Sequence, residues 1–342
     1  MSRVLLSIIL VCLTHFMYAQ SDIKFGEISI EELKKEKSQI EANASAEVLG
    51  EFGSLIITEN AGGTRYYIFE YHKRIKIYDS EGYENADVTI PFFHPLNGSE
   101  EKMLSLKAYT YNLKNGKVEK IKLTNKEIIT EQVSKNWKAK KISFPQVKEG
   151  SVIEYKYKIS SYYILDVPDW VFQKDIPVVW SQYDFSIPKW FRHKIVSQGS
   201  INYTINTQKE VRDTNSKWNL QKSVWAVSNI VPLKDEKYVS SKSNYVMKLN
   251  FHMNARVRQS RKIVGQNYPE FNTSLMESTM FVKLLLNNKF LPDNVIPQSK
   301  ASSDQEKALA LYNYVQKQMT WDDYSGFLPG DVKKAWKEKR DP

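Results

Sequence analysis

The residue with the most distinctive chemistry in this chain is its single cysteine, Cys12. A thiolate can act as a nucleophile, bind zinc or form a disulfide. Cys12 lies in an apolar segment near the N-terminus, and we expect that segment to be removed from the mature protein. The mature chain would then carry no thiol. We therefore predict neither a cysteine nucleophile, nor a thiolate zinc site, nor a disulfide, and packing alone must stabilise the fold.

Histidine is the second residue type that could support catalysis or metal binding. One of the five histidines, His15, lies in the same N-terminal segment. None of the others has the spacing of a metal site. They are His72, His94, His193 and His252. We expect ordinary core or surface imidazoles, with His72 on the solvated face of a strand, in a ladder of polar side chains between Glu70 and Arg74.

Two pairs of carboxylates could supply a general acid and a general base: Asp166 with Asp169, and Asp322 with Asp323. A glycosidase needs two carboxyl groups that face each other across a cleft, and spacing along the chain does not establish that arrangement. Asp322 and Asp323 follow a predicted helix, where they more simply end it or shape a loop. The sequence has no Gly-x-Ser-x-Gly elbow, phosphate-binding loop or dinucleotide fingerprint. We therefore predict no catalytic, metal-binding or cofactor-binding residue and no cofactor, and the ligand-binding residues stay unknown.

Five tryptophans of the strand-rich region could bind a ligand. An exposed ring can stack on a sugar or a peptide side chain, whereas in a domain without disulfides the same rings form the core. We favour the core, with Trp170 and Trp190, each close to a proline, as the candidates for exposed rings. The five are Trp170, Trp180, Trp190, Trp218 and Trp225.

Residues 1–20 have the features of a secretory signal peptide. Arg3 precedes the apolar run Val4–Val11, and Ala19-Gln20 is a suitable cleavage site. The run is shorter than a typical membrane span, and an uncleaved anchor is the alternative. We therefore expect an exported protein, in the periplasm, on the outer surface or in the medium, with no integral membrane span after cleavage.

The formal net charge of +10 is spread along the chain and not concentrated in blocks. Lys and Arg alternate with apolar residues in the predicted strands, which is typical of a solvated basic face. The alternative is attraction to an anionic envelope surface, which leaves an envelope glycan or protein as the expected partner. An exported chain without a nucleic-acid-binding motif is not expected to bind nucleic acid. The oligomeric state stays open.

The N-terminal arm and a strand-rich domain must position most of these candidate residues. Residues 21–50 are predicted to form an N-terminal helical arm on the surface, in which Ser29 caps a short helix and Glu32 completes a capping box. Residues 51–262 are predicted to form a β-sandwich-like domain, because apolar residues recur with period two in short runs separated by turns. Its clearest hairpin turns at Asn115-Gly116, a pair that favours a type I′ turn.

Residues 263–342 are predicted to form a helical linker and the start of a second domain. Asp304 is the predicted N-cap of an amphipathic helix, and a second short helix is predicted from Asp331. The apolar stripe of the first helix is Ala308, Leu311, Tyr312, Val315 and Met319. Because little sequence follows to cover this stripe, we expect the domain to be cut short at Pro342.

Five segments, in their order and spacing, resemble an uncharacterised β-rich domain. That domain precedes a transglutaminase-like domain in exported proteins of Bacteroidetes-type bacteria, and the resemblance covers roughly residues 24–342. The segments are FEYHKRIKIYDSEGYENADVTIPF (69–92), AYTYNLKNGKVEKIKL (108–123), FPQVKEGSVIEYKY (144–157), DIPVVWSQYDFSIP (175–188) and WAVSNIVPLKDEKY (225–238).

This resemblance implies a fold and a position for an active site. The fold would be mainly β (α+β overall), a β-sandwich-like domain followed by a few helices of an incomplete transglutaminase-like domain. In active members a catalytic cysteine follows the helix that corresponds to residues 332–339, and a later His and Asp activate and orient it. No residue of this chain matches that triad, so we carry over no catalytic residue.

The resulting prediction is an exported, non-catalytic binding or scaffolding module of the cell envelope, of unknown ligand, and a fragment of a longer transglutaminase-like protein. Two alternatives stay open. The chain could be the N-terminal part of a thiol peptidase or acyltransferase whose active site lies beyond residue 342. It could also be a glycan-binding β-sandwich.

Overall fold

The computed structural model describes residues 23–95, 98–189, 191–212, 218–234, 241–256, 268–277, 303–320 and 332–339. The chain divides into two compact units, Met1–Met253 and Asn254–Pro342.

The first unit is built from β-strands, most of them with apolar residues at every second position. Fourteen strands, β1 to β14, are described. In chain order they are Ala46–Glu59, Arg65–Ile77, Asp87–Phe93, Lys102–Lys114, Lys117–Lys122, Ile128–Ser134, Trp137–Ser143, Val152–Ser161, Trp170–Val171, Val178–Pro188, Phe191–Gln198, Ile205–Arg212, Asn219–Ile230 and Lys248–Arg256.

These strands form one large sheet and two small ones. The large sheet has eight strands in the order β12-β13-β10-β1-β2-β8-β4-β5. It is mixed, because β1 and β10 are parallel while the other pairs are antiparallel. The small sheets have the orders β11-β14-β9 and β3-β7-β6.

Both small sheets pack against the same face of the large sheet. Leu55 and Phe69 of the large sheet belong to one buried apolar cluster with Ile90 of β3 and Phe251 of β14. Stacked sheets that share an apolar interior define a sandwich-like architecture. The prediction of a mainly β domain followed by a few helices is confirmed.

The N-terminal arm covers the opposite face of the large sheet. Its helix, α1, spans Ile30–Lys34, and Ser29 and Glu32 form the predicted capping box. Leu33 is buried in a second apolar cluster with Tyr111 and Val152 of the sheet. The arm is shorter than predicted, since residues 46–50 belong to β1 in the middle of the sheet.

The predicted hairpin is confirmed. Strands β4 and β5 pair from Tyr109 with Lys122 to Lys114 with Lys117. Asn115 and Gly116 both have positive φ, 52° and 75°. A type I′ turn requires that combination, and its twist matches the twist of the flanking strands.

The described residues of the second unit form three helices: α2 (Tyr268–Glu277), α3 (Asp304–Gln318) and α4 (Val332–Glu338). The N-cap of α3 is Ser303 and not Asp304 as predicted, because the Ser303 hydroxyl accepts from the amide of Glu306 and the Glu306 side chain accepts from the amide of Ser303. Tyr312 of the predicted apolar stripe is 64% exposed. No described helix is long and apolar enough to span a membrane.

Candidate functional site

The polar face of β2 is buried at His72 and Arg74, which corrects the prediction for His72. His72 is 7% exposed and Arg74 is 2% exposed, although both alternate with apolar residues as on a solvated strand face. The N-terminal arm excludes water from this face: Phe25 of the arm contacts the His72 ring edge-on, with 5.4 Å between ring centroids. The alternation of polar and apolar residues along a strand predicts on which face of the sheet each side chain lies. It does not predict whether another segment covers that face.

A buried network centred on Glu154 of β8 links this face to the arm. One carboxylate oxygen lies 2.8 Å from Nε2 of His72 and accepts from Nε and Nη2 of Arg74 at 3.0 and 2.6 Å. The other oxygen accepts from the amide of Gly26 at 2.9 Å and from the hydroxyl of Tyr111 at 2.8 Å. Every oxygen of a fully buried carboxylate is therefore satisfied, as burial requires.

Arg74 connects the same carboxylate to three residues of the arm. Its guanidinium donates to the Glu32 carboxylate at 2.7 Å and to the carbonyl oxygens of Lys24 and Glu27 at 2.9 and 2.5 Å. Burial alone would raise the pKa of Glu154, but the hydrogen bond from His72 and the charge of Arg74 outweigh it and hold the pKa below its usual range. Since these groups satisfy one another, the network fixes the arm to the sheet.

A second buried charged cluster lies on the core face of the large sheet. The carboxylate of the fully buried Glu51 forms an ion pair with Lys174 at 3.0 Å. It also accepts hydrogen bonds from the hydroxyl of Ser181 at 3.3 Å and from the hydroxyl of Tyr71. Lys73 stands directly opposite Glu51 on the neighbouring strand. Burial lowers the pKa of Lys73 to about 8, against the attraction of Glu51. Lys73 and Lys174 also line a polar cavity of about 630 Å³.

A cleft of about 620 Å³, with a mainly apolar lining, lies between the large sheet and the small sheets. Its floor comes from β2 and β8 of the large sheet. Its walls come from β3, β7 and β14 of the small sheets and from the loop that follows β8. We call it the aromatic cleft. Its lining is Tyr67, Phe69, Pro91, Phe93, Glu101, Trp137, Tyr157, Ile159, Tyr163, Asp166, Val167, Pro168, Asp169, Phe251 and His252.

Three aromatic side chains form one wall of the cleft. Phe93 packs edge-on against Trp137, with 5.2 Å between ring centroids, and against Tyr163, with 4.9 Å. Trp137 stays 42% exposed. An exposed ring held by its neighbours can stack on a ligand with little loss of side-chain entropy.

Three carboxylates face the same cleft. One oxygen of Glu101 accepts from the Tyr67 hydroxyl at 2.9 Å and the other from the amide of Phe93 at 2.7 Å. Asp169 accepts from the amide of Phe251 at 3.0 Å. Asp166 is exposed. Burial raises the pKa of Tyr67, and the negative charge of Glu101 raises it further, so this hydroxyl stays protonated and donates.

The structure brings together three of the residues that the sequence singled out for chemistry. Asp166 and Asp169 both line the aromatic cleft, as does His252. The sequence analysis did not identify Trp137 or Glu101, and no motif marks either residue. Only the pairing of β3 with β7, which places Phe93 opposite Trp137, reveals that wall.

The other candidates lie elsewhere. Trp170 is 3% exposed and stacks on Tyr183 with 4.9 Å between centroids, so its prediction as an exposed ring is wrong. It is buried because Gly53 of β1, which lacks a side chain, leaves room for the indole. His94 lies 2.5 Å from Glu100, outside the cleft lining. His193 lies on β11.

The remaining candidates, Trp190, Asp322 and Asp323, lie outside the described residues. Among the described residues, no group of three or more His, Cys, Asp or Glu side chains is arranged to hold a metal ion. The described lining of the aromatic cleft combines aromatic rings with carboxylates that accept hydrogen bonds, and both kinds of group occur in ligand-binding sites.

The fold and the cleft define a β-rich domain with a ligand-sized cavity between stacked sheets. Residues 66–234 match the model of DUF3857, a domain of unknown function for which a structure has been solved. This range contains most of the large sheet and most of the cleft lining. No curated protein matches the chain.

Solved structures place the same fold in a larger protein. A candidate protease from Parabacteroides distasonis superimposes with a TM-score of 0.61 at 13% identity, over 87% of this chain and 56% of that one. The chain therefore spans little more than half the length of that structure. At this identity the similarity establishes the fold alone.

Two further structures are much less similar. An M1 zinc metallopeptidase from Deinococcus radiodurans gives a TM-score of 0.31 at 9% identity, over 65% of this chain and 46% of that one. A candidate nutrient-binding protein from Legionella pneumophila gives 0.26 at 10% identity, over 86% of this chain and 93% of that one. At these TM-scores neither similarity indicates a function.

Proposed function

We propose that the first unit is a non-catalytic binding module of the cell envelope and that its ligand occupies the aromatic cleft. The observation that supports this most directly is the lining of the cleft, where an exposed tryptophan stands beside three carboxylates in a cavity of about 620 Å³. Ligand sites are typically concave, mainly apolar and supplied with a few polar groups that fix orientation. Export through residues 1–20 would place this module in the envelope.

Two polar groups of the cleft, Glu101 and Tyr67, are held in fixed positions that suit them to orient a ligand. One oxygen of Glu101 accepts from the Tyr67 hydroxyl and the other from the amide of Phe93, so the carboxylate has a defined orientation. The Tyr67 hydroxyl is held as a donor by the same contact. Fixed donors and acceptors of this kind position a ligand without reacting with it.

A binding experiment on residues 21–342 tests the proposal. Purified peptidoglycan and a library of short peptides are titrated while the indole N–H signals are followed by NMR, with Trp137 assigned through Trp137→Phe. We expect at least one ligand to shift the Trp137 signal and to be recovered chemically unchanged. Trp137→Ala should weaken that binding, while Tyr245→Ala, which removes another exposed ring outside the cleft lining, should preserve it.

Two outcomes would reject the proposal. The first is that no peptidoglycan fragment and no peptide shifts the Trp137 signal. The second is that ligands bind equally well to Trp137→Ala. A carbohydrate that stacks on Trp137 would support the alternative of a glycan-binding sandwich, now with Trp137 in the role first considered for Trp170.

A second candidate function is the N-terminal part of a transglutaminase-like thiol enzyme. The observation that favours it is the superposition on a candidate protease of which this chain spans 56%. The active cysteine, histidine and aspartate would then lie beyond residue 342, and the first unit would present substrate to them. Genomic sequence after Pro342 tests this: an in-frame Cys followed by His and Asp supports it, and a stop codon in an intact gene rejects it.

A further inference from the structure

The charge of the aromatic cleft is opposite to the charge of the chain. The formal net charge of the protein is +10. The described lining of the cleft contains the carboxylates Glu101, Asp166 and Asp169 and no Lys or Arg. Because like charges are normally dispersed on a surface, three carboxylates converging in one cavity of a basic protein need a physical explanation.

The contacts of these carboxylates leave their charge in place. Glu101 accepts from the Tyr67 hydroxyl and the Phe93 amide, and Asp169 accepts from the Phe251 amide. Such neutral donors stabilise a carboxylate without neutralising it. The described lining of the cleft therefore keeps negative charge that a bound cation can neutralise.

The aromatic wall offers a second kind of interaction to the same ligand. Phe93 holds Trp137 and Tyr163 in edge-on contacts, and Trp137 keeps 42% of its surface exposed. The face of an aromatic ring is the negative part of its quadrupole, so it attracts a cation, and tryptophan attracts most strongly. Carboxylates and aromatic rings in one cavity thus favour the same ligand charge.

We propose that the aromatic cleft binds an organic cation, namely an ammonium or guanidinium group on an apolar stem. The Lys or Arg side chain of an extended peptide has this chemistry, and so does a free alkylamine. This inference rests on the proposed binding function and names the ligand class of the same site. A volume of about 620 Å³ accommodates such a side chain with its neighbours.

The test compares two blocked tripeptides that differ in charge and hardly in shape, Leu-Arg-Leu and Leu-citrulline-Leu. Each is titrated into residues 21–342 by calorimetry at low and at physiological salt. We expect the Arg peptide to bind at least about tenfold more tightly, with the preference falling as salt is added, because rim carboxylates are screened. Agmatine, which carries the same guanidinium without a peptide, distinguishes a peptide source from a free amine.

Matched variants locate the preference. Asp166→Asn removes one charge from an exposed position of the cleft and should reduce the Arg-to-citrulline ratio at least threefold. Asp175→Asn removes an exposed charge that faces the separate polar cavity beside Lys73 and should leave the ratio unchanged. Trp137→Ala should weaken both peptides.

Several outcomes would overturn the inference. If the citrulline peptide binds as tightly as the Arg peptide and both lose affinity in Trp137→Ala, the binding function stands and the cation preference is wrong. If Asp166→Asn and Asp175→Asn have equal effects, the preference comes from the general field of the protein. If neither peptide nor agmatine binds while another ligand shifts Trp137, the ligand class is wrong and the site is right.

Discussion

The buried carboxylate of Glu154 should be one of the most sensitive positions for stability. The substitution Glu154→Gln keeps the size of the side chain and removes its charge, so it creates no cavity. In the native protein this carboxylate accepts from His72, Arg74, Gly26 and Tyr111 at 2.6–3.0 Å. The glutamine nitrogen would face at least one of these donors with another donor.

The structure sets the expected magnitude. Arg74 is 2% exposed, so its charge cannot recover solvation by water when Glu154 is neutral. Removing one partner of a buried pair costs about 3–5 kcal/mol. Glu32 remains 2.7 Å from the guanidinium and limits the loss, so we expect about 3 kcal/mol for Glu154→Gln. That is a large share of the roughly 5–15 kcal/mol that stabilise a typical domain.

The matched control is Glu70→Gln on the same polar face of β2. Glu70 pairs with Lys156 and Lys158 at 2.7 and 2.9 Å, but its side chain is 31% exposed. Exposed ion pairs contribute about 0–1 kcal/mol. Two carboxylates with similar ion-pair geometry and different burial should therefore differ by roughly 2 kcal/mol or more when each is replaced by glutamine.

The assay is urea unfolding at neutral pH, with limited proteolysis of residues 23–35 as a local measurement. We expect Glu154→Gln to expose the arm to proteolysis and Glu70→Gln to leave it protected. In the wild type, a folded-state pKa below the usual value means that the contribution of Glu154 is complete above about pH 4.5 and is lost as pH falls through the folded value. Equal losses of stability in the two variants would refute the reasoning.

Other predictions concern the core face of the sheet. Gly53→Ala should destabilise the fold by about 1–3 kcal/mol in urea unfolding, because its Cβ would lie 2.2 Å from the Trp170 ring; wild-type stability would show that the indole can move. Burial lowers the pKa of Lys73 to about 8, below its ordinary 10.5, so at this group the unfolded chain binds more protons between these values and the contribution of Lys73 to stability should rise with pH there. Lys73→Met should remove that contribution and change the slope of stability against pH, and an unchanged slope would contradict the lowered pKa of Lys73. Gly116→Ala should cost about 1 kcal/mol because φ is +75°, and no measurable loss in a melt would argue against the type I′ turn.

Local features of the fold were predictable from the sequence because local chemistry determines them. Asn115-Gly116 specifies its turn through positive φ, and Ser29 with Glu32 specifies the start of α1 through reciprocal hydrogen bonds. The period of two in β2 correctly assigned its side chains to two faces. These signals lie within a few residues of the structure that they determine.

The covering of the polar face was not predictable in the same way. His72 and Arg74 alternate with apolar residues in the same pattern as solvated residues. Their hydrogen-bond partner, Glu154, lies about eighty positions away in the sequence. A buried ionic network and a wet strand face have the same pattern in the sequence. The difference depends on whether another segment, here the arm around Gly26, docks onto that face.

The aromatic cleft shows the same limit for the site. Asp166 and Asp169 were recognised as a pair, since they are neighbours in sequence, but their function as a cleft wall depends on Tyr67, Trp137 and Phe251 from distant strands.

The large sheet separates the two polar features by the alternation of its strands. On β8, Glu154 points to the arm while Tyr157, three residues later, lines the aromatic cleft on the opposite side. On β2, Tyr67 and Arg74 divide in the same way. One face is thus fixed by charges that satisfy one another, and the other keeps carboxylates whose charge no Lys or Arg of the described cleft lining neutralises. A satisfied network stabilises a fold, whereas uncompensated charge in a cavity retains the capacity to bind, and this contrast is the physical reason to look for the ligand on the cleft side.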